Sequence, residues 1–210
     1  MNLDSWEKKF EQKIVEAVGF NDPAHDVYHF QRVVRSAKKL AEEEKAKVEV
    51  VIPAAWLHDL VNVPKTDPRR SQASRLSADA AIEYLKAEGY PEEYFNEIAH
   101  AIAAHSYSAK IQCESLEAKI VQDADRLDAL GAIGLARCFS VSVQLGHRQF
   151  YNPDLFCEDT EPDDTKYTTD HFHIKLFKLA ETMNTESGKK EAERRTQVMK
   201  RYLEDLSEEI

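Results

Sequence analysis

Apolar positions recur at three- and four-residue steps along almost the whole of the 210-residue chain, the spacing that lines one face of an α-helix. Trp6, Phe10, Ile14, Val15 and Val18, followed by Gly19, predict a first amphipathic helix capped by Asp4 or Ser5. A second helix is predicted from about Asp26 to Lys45, with Val33, Val34, Ala37, Leu40 and Ala41 on its inner face. The run from Val48 to Leu60 is nearly all apolar. It reads as a buried helix with Pro53 in an early turn and Ala54, Ala55 and Leu57 inside. VEVVI alone has strand character, but no partner strand lies nearby and the run continues into AAWLHDL.

Residues 61–77, VNVPKTDPRRSQASRLS, form a loop by their two prolines and four basic residues. Helices are then predicted over Ala78 to Glu88, ended by Gly89-Tyr90-Pro91, and over Glu92 to His105, with SYSAKIQCES as a connection. Glu117 to about Gly146 reads as one long helix bent at Gly131 or Gly134. The acidic stretch CEDTEPDD is a solvated loop, and Thr169 to Met183 and Ser187 to Leu206 are two C-terminal helices. No internal repeat, low-complexity tract or linker divides the chain, so the expectation is one all-α domain over residues 1–210.

Composition agrees with helices, because 6 Gly and 7 Pro are too few for a turn-rich sandwich or barrel. With 28 basic and 38 acidic residues the formal net charge is −10, the wrong sign for a nonspecific binder of nucleic acid. Any anionic ligand must be met locally. Cys113, Cys138 and Cys157 are widely spaced and odd in number, which points to a reducing compartment and to free thiols. MNLDSWEKKFEQKI carries charges every few residues, and no window approaches the roughly 18 apolar residues of a membrane span. The expectation is a soluble, cytoplasmic protein with no membrane partner; a two-fold dimer is the default for its assembly.

Polar residues interrupt these apolar helices at a few positions. His58 and Asp59 end the buried helix, and Asp123, Asp125 and Asp128 break up IVQDADRLDAL. A buried carboxylate is costly unless it is paired, hydrogen-bonded or bound to a metal. Imidazole plus carboxylate is the donor mix for a divalent ion such as Mn²⁺, Fe²⁺, Co²⁺, Ni²⁺ or Zn²⁺. His58 and Asp59 lie about 100° apart around a helix. They can share one ion if a second helix supplies His29 and a third supplies Asp125. His25, one turn before His29, has a cap or surface role as its plain alternative, and Asp26 can cap its helix or orient a ligating imidazole. Asp128 has Arg126 or Arg32 as alternative partners, and Asp123 has the alternative of facing water.

HDVYHFQRVV, AAWLHDL and VQDADRLDALG, in that order, resemble the H…HD…D signature of the HD superfamily of metal-dependent phosphohydrolases. The chain is similar in particular to compact bacterial stand-alone HD proteins, some of them nucleotide pyrophosphohydrolases; VPKTDPRRSQAS and HFHIKLFKLAETMNT extend the similarity over nearly its whole length. The resemblance implies an HD-type helical bundle with additional C-terminal helices. It also implies metal ligands His29 (the histidine of HxxRV), His58, Asp59 and Asp125. One divalent ion is expected, Mn²⁺ first, with Mg²⁺, Co²⁺, Ni²⁺, Fe²⁺ and Zn²⁺ as alternatives. His100 and His105 are about 140° apart on their helix, too far to share an ion, so a mononuclear site is expected rather than a dinuclear one. His105 is read as a pocket residue contacting substrate or a water on the metal, and His100 as a core histidine. GYP at residues 89–91 is read as a chance match to the HD-GYP motif, whose other residues are missing around it.

Lys65, Arg69, Arg70 and Arg75 follow the histidine-aspartate pair as a basic cluster on an acidic chain, suited to a polyphosphate, with a solvated basic loop as the alternative. By resemblance Lys175 closes the pocket, while Lys178 reads as a surface lysine. Asp59, Asp128 or Glu117 is expected to orient the attacking water. The subgroup implies a nucleotide partner: a (deoxy)nucleoside triphosphate split into monophosphate and pyrophosphate. A 5′-nucleotidase or other phosphoesterase, a di-iron oxygenase, or a non-catalytic metal- and nucleotide-binding module would use a related site.

Overall fold

The computed structural model describes residues 1–17, 26–63, 67, 69–106, 109–146 and 149–210. Val18, Gly19, His25 and Lys65 lie outside the described residues. The regular elements of the described residues are all helices, with no strand among them and one isolated bridge between Gln149 and Tyr167. The chain divides into two compact units, Met1–Asp125 and Arg126–Ile210.

The first unit contains α1 (Leu3–Ala17), α2 (Val27–Glu44), α3 (Val48–Leu57), α4 (Ala73–Glu88), α5 (Phe95–His105) and most of α6 (Leu116–Leu127). α3 is its spine: residues 50–57 are all buried, as a helix apolar on every side requires, and α1, α2, α4 and α5 touch it. The inner face predicted for α2 is buried throughout, against a core that includes Phe10 and Ile14 of α1 and Ile98 and Ile102 of α5. VEVVI is helical.

Several boundaries differ from the pattern. Asn2, rather than Asp4 or Ser5, caps α1: its Oδ1 accepts from the Ser5 amide at 3.3 Å. α4 begins at Ala73, five residues early, after a 3₁₀ turn at Arg70–Gln72, and a second 3₁₀ turn, Glu92–Tyr94, precedes α5. Pro53 is the sixth residue of α3, not in its first turn. A proline there leaves the carbonyl of Glu49 without its helical amide. The buried hydroxyl of Tyr90 supplies the missing bond, donating to Glu49 O at 2.7 Å. The tyrosine of the GYP triplet thus repairs a helix, and burial raises its phenol above its ordinary pKa.

The second unit holds the last turn of α6, then α7 (Gly131–Gln144) and α8 (Glu186–Glu209). The single long helix expected over residues 117–146 is broken at Asp128–Leu130 rather than bent. Gly131 restarts it with φ +73°, and a side chain there would press on Arg195 at 3.2 Å. Residues 172–182 form a π-helical turn and then a 3₁₀ segment in place of a regular helix. Phe139, Phe172 and Tyr202 form the aromatic core, with ring centroids 5.9 to 6.4 Å apart. The acidic loop is organised by Asp154, whose carboxylate accepts from the amides of Glu158, Asp159 and Thr160. Thr185 caps α8.

On α8, Glu191 bonds Arg194 and Arg195, and Arg195 donates to Leu127 O at the end of α6. The Arg194 bond, opposed by burial and joined by Arg195, holds the Glu191 carboxyl at about 2, down from 4.5.

Tyr90→Phe is expected to lower stability in urea unfolding by about 1–3 kcal/mol, the cost of an unsatisfied buried carbonyl. In a Pro53→Ala background, where the restored amide can bond Glu49, this cost should shrink. Because the Glu191 pKa is depressed on folding, its stabilisation is full above pH 4.5 and is lost as pH falls towards about 2. Glu191→Gln should therefore lower the urea midpoint at neutral pH, with the gap from wild type closing across that window.

Candidate metal centre

Local folding rules bring three histidines and two aspartates of the first unit to one point. Asp26 caps α2, its Oδ1 accepting from the His29 amide at 2.9 Å, so His29 sits in the first turn and faces inward, 1% exposed. His58 and Asp59 follow the last turn of α3. His58 Nδ1 lies 2.8 Å from Ala55 O; a carbonyl only accepts, so Nδ1 carries the proton and Nε2 presents its lone pair. His105 ends α5 in the same way, with Nδ1 2.6 Å from Ile102 O. Asp125 comes from α6.

His29 Nε2 and His58 Nε2 are 3.3 Å apart, and Asp125 Oδ1 lies 3.6 Å from the first and 3.9 Å from the second. Asp59 Oδ2 is 3.9 Å from His58 Nε2, and its Oδ1 is 3.4 Å from His105 Nε2. Ligand atoms about 2.1 Å from an ion and about 90–110° apart are separated by about 3.0–3.4 Å. The observed set needs to close only slightly to hold one divalent cation. Among the described residues two groups meet the donor requirement, His29, His58 and Asp125, and His58, Asp59 and His105.

The two similarly locked imidazoles titrate in opposite directions. Burial, only partly offset by Asp59, lowers His58 to about 4, so it is neutral and ready to ligate at physiological pH. Burial also disfavours charge on His105, but its hydrogen bond to Asp59 and the nearby carboxylates win and raise it to about 9. The centre thus sets a neutral His58 nitrogen beside two aspartates and a His105 biased towards its charged form.

The remaining expected site residues have the following surroundings. Glu117, proposed to orient water, instead accepts from the Lys47 amide at 3.1 Å and so caps α3 at the end away from His58. Asp123 is fully buried rather than facing water. Asp128 lies in the second unit, just beyond α6, and is buried with Arg137 on its carboxylate; Arg126 bonds Thr182 O instead. Arg69 is exposed and bonded to Asp67, Arg70 donates to Val63 O at 2.7 Å, and Arg75 is exposed. Lys175 and Lys178 are exposed in the second unit, where His171 bonds Asp164 at 2.6 Å. His100 is half-buried, its Nε2 accepting from the Glu114 amide at 3.0 Å. Gln122 went unnoticed in the sequence. Its only signal there is a polar residue three positions before Asp125 in an apolar helix, yet it is buried and bonded to Ala104 O at the end of α5.

A helical fold that gathers imidazoles and carboxylates from α2, α5, α6 and the end of α3 in groups that could hold a metal ion fits a metal-dependent phosphohydrolase of the HD type. The HD domain family matches residues 26–130, and the chain belongs to that family. It is 34% identical over 190 residues, 89% of its length and 84% of the relative's, to the uncharacterized protein YpgQ of Bacillus subtilis. The crystal structure of B. subtilis YpgQ in complex with ADP superposes with a TM-score of 0.73 at 32% identity, covering 99% of this chain and 94% of that one. An HD-superfamily hydrolase from Bacillus thuringiensis gives a TM-score of 0.76 at 30% identity, covering 98% and 97%.

Asp59→Asn and Asp125→Asn, nearly isosteric and only partly buried, should each weaken Mn²⁺ binding by more than the about 100-fold that loss of an outer-shell partner can cost. His100→Gln should leave it unchanged. Titration calorimetry on the metal-free chain reads both effects, and unaltered binding in either aspartate variant would remove that residue from the ligand set.

Proposed function

We propose that the chain hydrolyses nucleoside triphosphates, deoxynucleotides included, to the monophosphate and pyrophosphate, using one divalent cation, Mn²⁺ by preference, held by His29, His58, Asp59 and Asp125. The observation that carries this reading is the convergence of those four side chains and His105 in two donor groups that share His58. YpgQ was crystallised with ADP, which favours a nucleotide as the ligand here too.

His58 favours a single ion. Its Nε2 belongs to both donor groups, while its Nδ1 is engaged by Ala55 O, so one imidazole cannot serve two ions at once. This argues against the di-iron oxygenase alternative. When bound, the cation supplies a water acidic enough to attack at neutral pH and polarises a phosphoryl oxygen. Asp59, with one oxygen towards His58 and the other towards His105, would hold the cation through the first and orient the attacking water through the second. His105, which the hydrogen bond to Asp59 biases towards the charged form, stands beside the phosphoryl group and offsets the negative charge that develops in the transition state. Arg69 and Arg70, on the segment after the histidine-aspartate pair, meet the polyphosphate. For Arg69 this means leaving Asp67, an exposed pair that opens at little cost.

Metal-free protein should be incubated with Mn²⁺ and each nucleoside triphosphate, diphosphate and monophosphate, and the products resolved. Monophosphate with pyrophosphate is the expected outcome from triphosphates. Orthophosphate from monophosphates would replace this reading with the 5′-nucleotidase one.

A further inference from the structure

A helix leaves its last carbonyls without intrahelical partners, and the usual remedy is a left-handed residue whose backbone amide folds back onto them. α4 ends that way at Gly89. α5 does not: Ser106, which follows His105, is extended, with φ −78° and ψ 127°. Among the described residues, side chains meet three carbonyls of its final turn. His105 Nδ1 lies 2.6 Å from Ile102 O, Ser74 Oγ of α4 donates to Ala103 O at 2.9 Å, and Gln122 Nε2 of α6 donates to Ala104 O at 2.8 Å. Cys113 Sγ stands 3.7 Å from Ala104 O.

Gln122 is 7% exposed and sits three residues before Asp125, so one short stretch of α6 carries both a metal donor and a grip on the end of α5. That end carries His105, whose imidazole reaches Asp59 at 3.4 Å. We propose that Gln122 is a positioning residue that locks the last turn of α5 onto α6 and thereby holds the His105 imidazole against Asp59, with Ser74 as the weaker second tie. This role presupposes the part given to His105 under Proposed function.

The test uses the full chain labelled with ¹⁵N-histidine, without metal or substrate. A long-range ¹H–¹⁵N spectrum should show one His105 imidazole with Nδ1 protonated, identified by its loss in His105→Ala. In Gln122→Met that correlation should shift or split while those of His100 and His171 stay in place. Turnover of deoxyadenosine triphosphate with Mn²⁺ is the second readout. Gln122→Met should lower kcat by at least about tenfold, in the range for groups that orient ligating or reacting side chains, with KM changed less than about twofold. In a His105→Ala background the same substitution should cost less than about twofold. If Gln122→Met does not fold, Ser74→Ala carries the same cycle, with a smaller effect in the same direction. An unmoved His105 signal, an unchanged kcat, or an equal loss in both backgrounds would overturn the brace and leave His105 in its proposed role. Full activity of His105→Ala would instead remove His105 from the reaction and the brace with it, a distinct outcome because it needs no change at Gln122.

Discussion

Two buried imidazoles, His29 and His58, bring their Nε2 atoms to 3.3 Å from each other. The Ala55 carbonyl holds the His58 proton on the far side of the ring, so His58 can offer only a lone pair to the centre. Without a cation, that lone pair faces His29 Nε2 across 3.3 Å. With one, both rings and the flanking carboxylates become donors to a common charge. The surrounding helices are arranged around this one requirement: Asp26 sets the entry of α2, α3 delivers its terminal pair, and α6 brings Asp125 to within 3.9 Å.

α3 is the element on which this arrangement turns. It is apolar on every face, so its only outward chemistry lies at its two ends, and α6 reaches both. Glu117 caps the start of α3 through the Lys47 amide, and eight residues later Asp125 approaches its end at His58. In the middle, Pro53 removes a helical bond and Tyr90 replaces it, so the interruption is satisfied inside the core.

His58 and His105 show how little geometry has to change for two histidines to take different roles. Each closes a helix with Nδ1 on the carbonyl three residues back, and each is almost fully buried. They differ in their approach to Asp59, 3.9 Å for His58 and 3.4 Å for His105. The hydrogen bond tips His105 towards the charged form, while burial keeps His58 neutral. A neutral nitrogen suits a ligand; a cation suits the neighbourhood of a phosphate.

Local pattern alone determined the helices, the burial of α3, the Asp26 cap and the ordered histidine and aspartate motifs, because side-chain periodicity, capping and the cost of burying charge act over a few residues. Whatever depends on which surfaces meet was decided by the tertiary structure. Glu117 and Asp123 look as available as Asp125 in the sequence, yet one caps α3 and the other is buried away from solvent. Gln122 looks like any polar residue in a helix until α5 ends against it. The break at Gly131 and the pairing of Asp128 with Arg137 likewise follow from contacts distant in sequence, since a hydrogen bond or ion pair depends on separation in space, which periodicity along a chain does not encode.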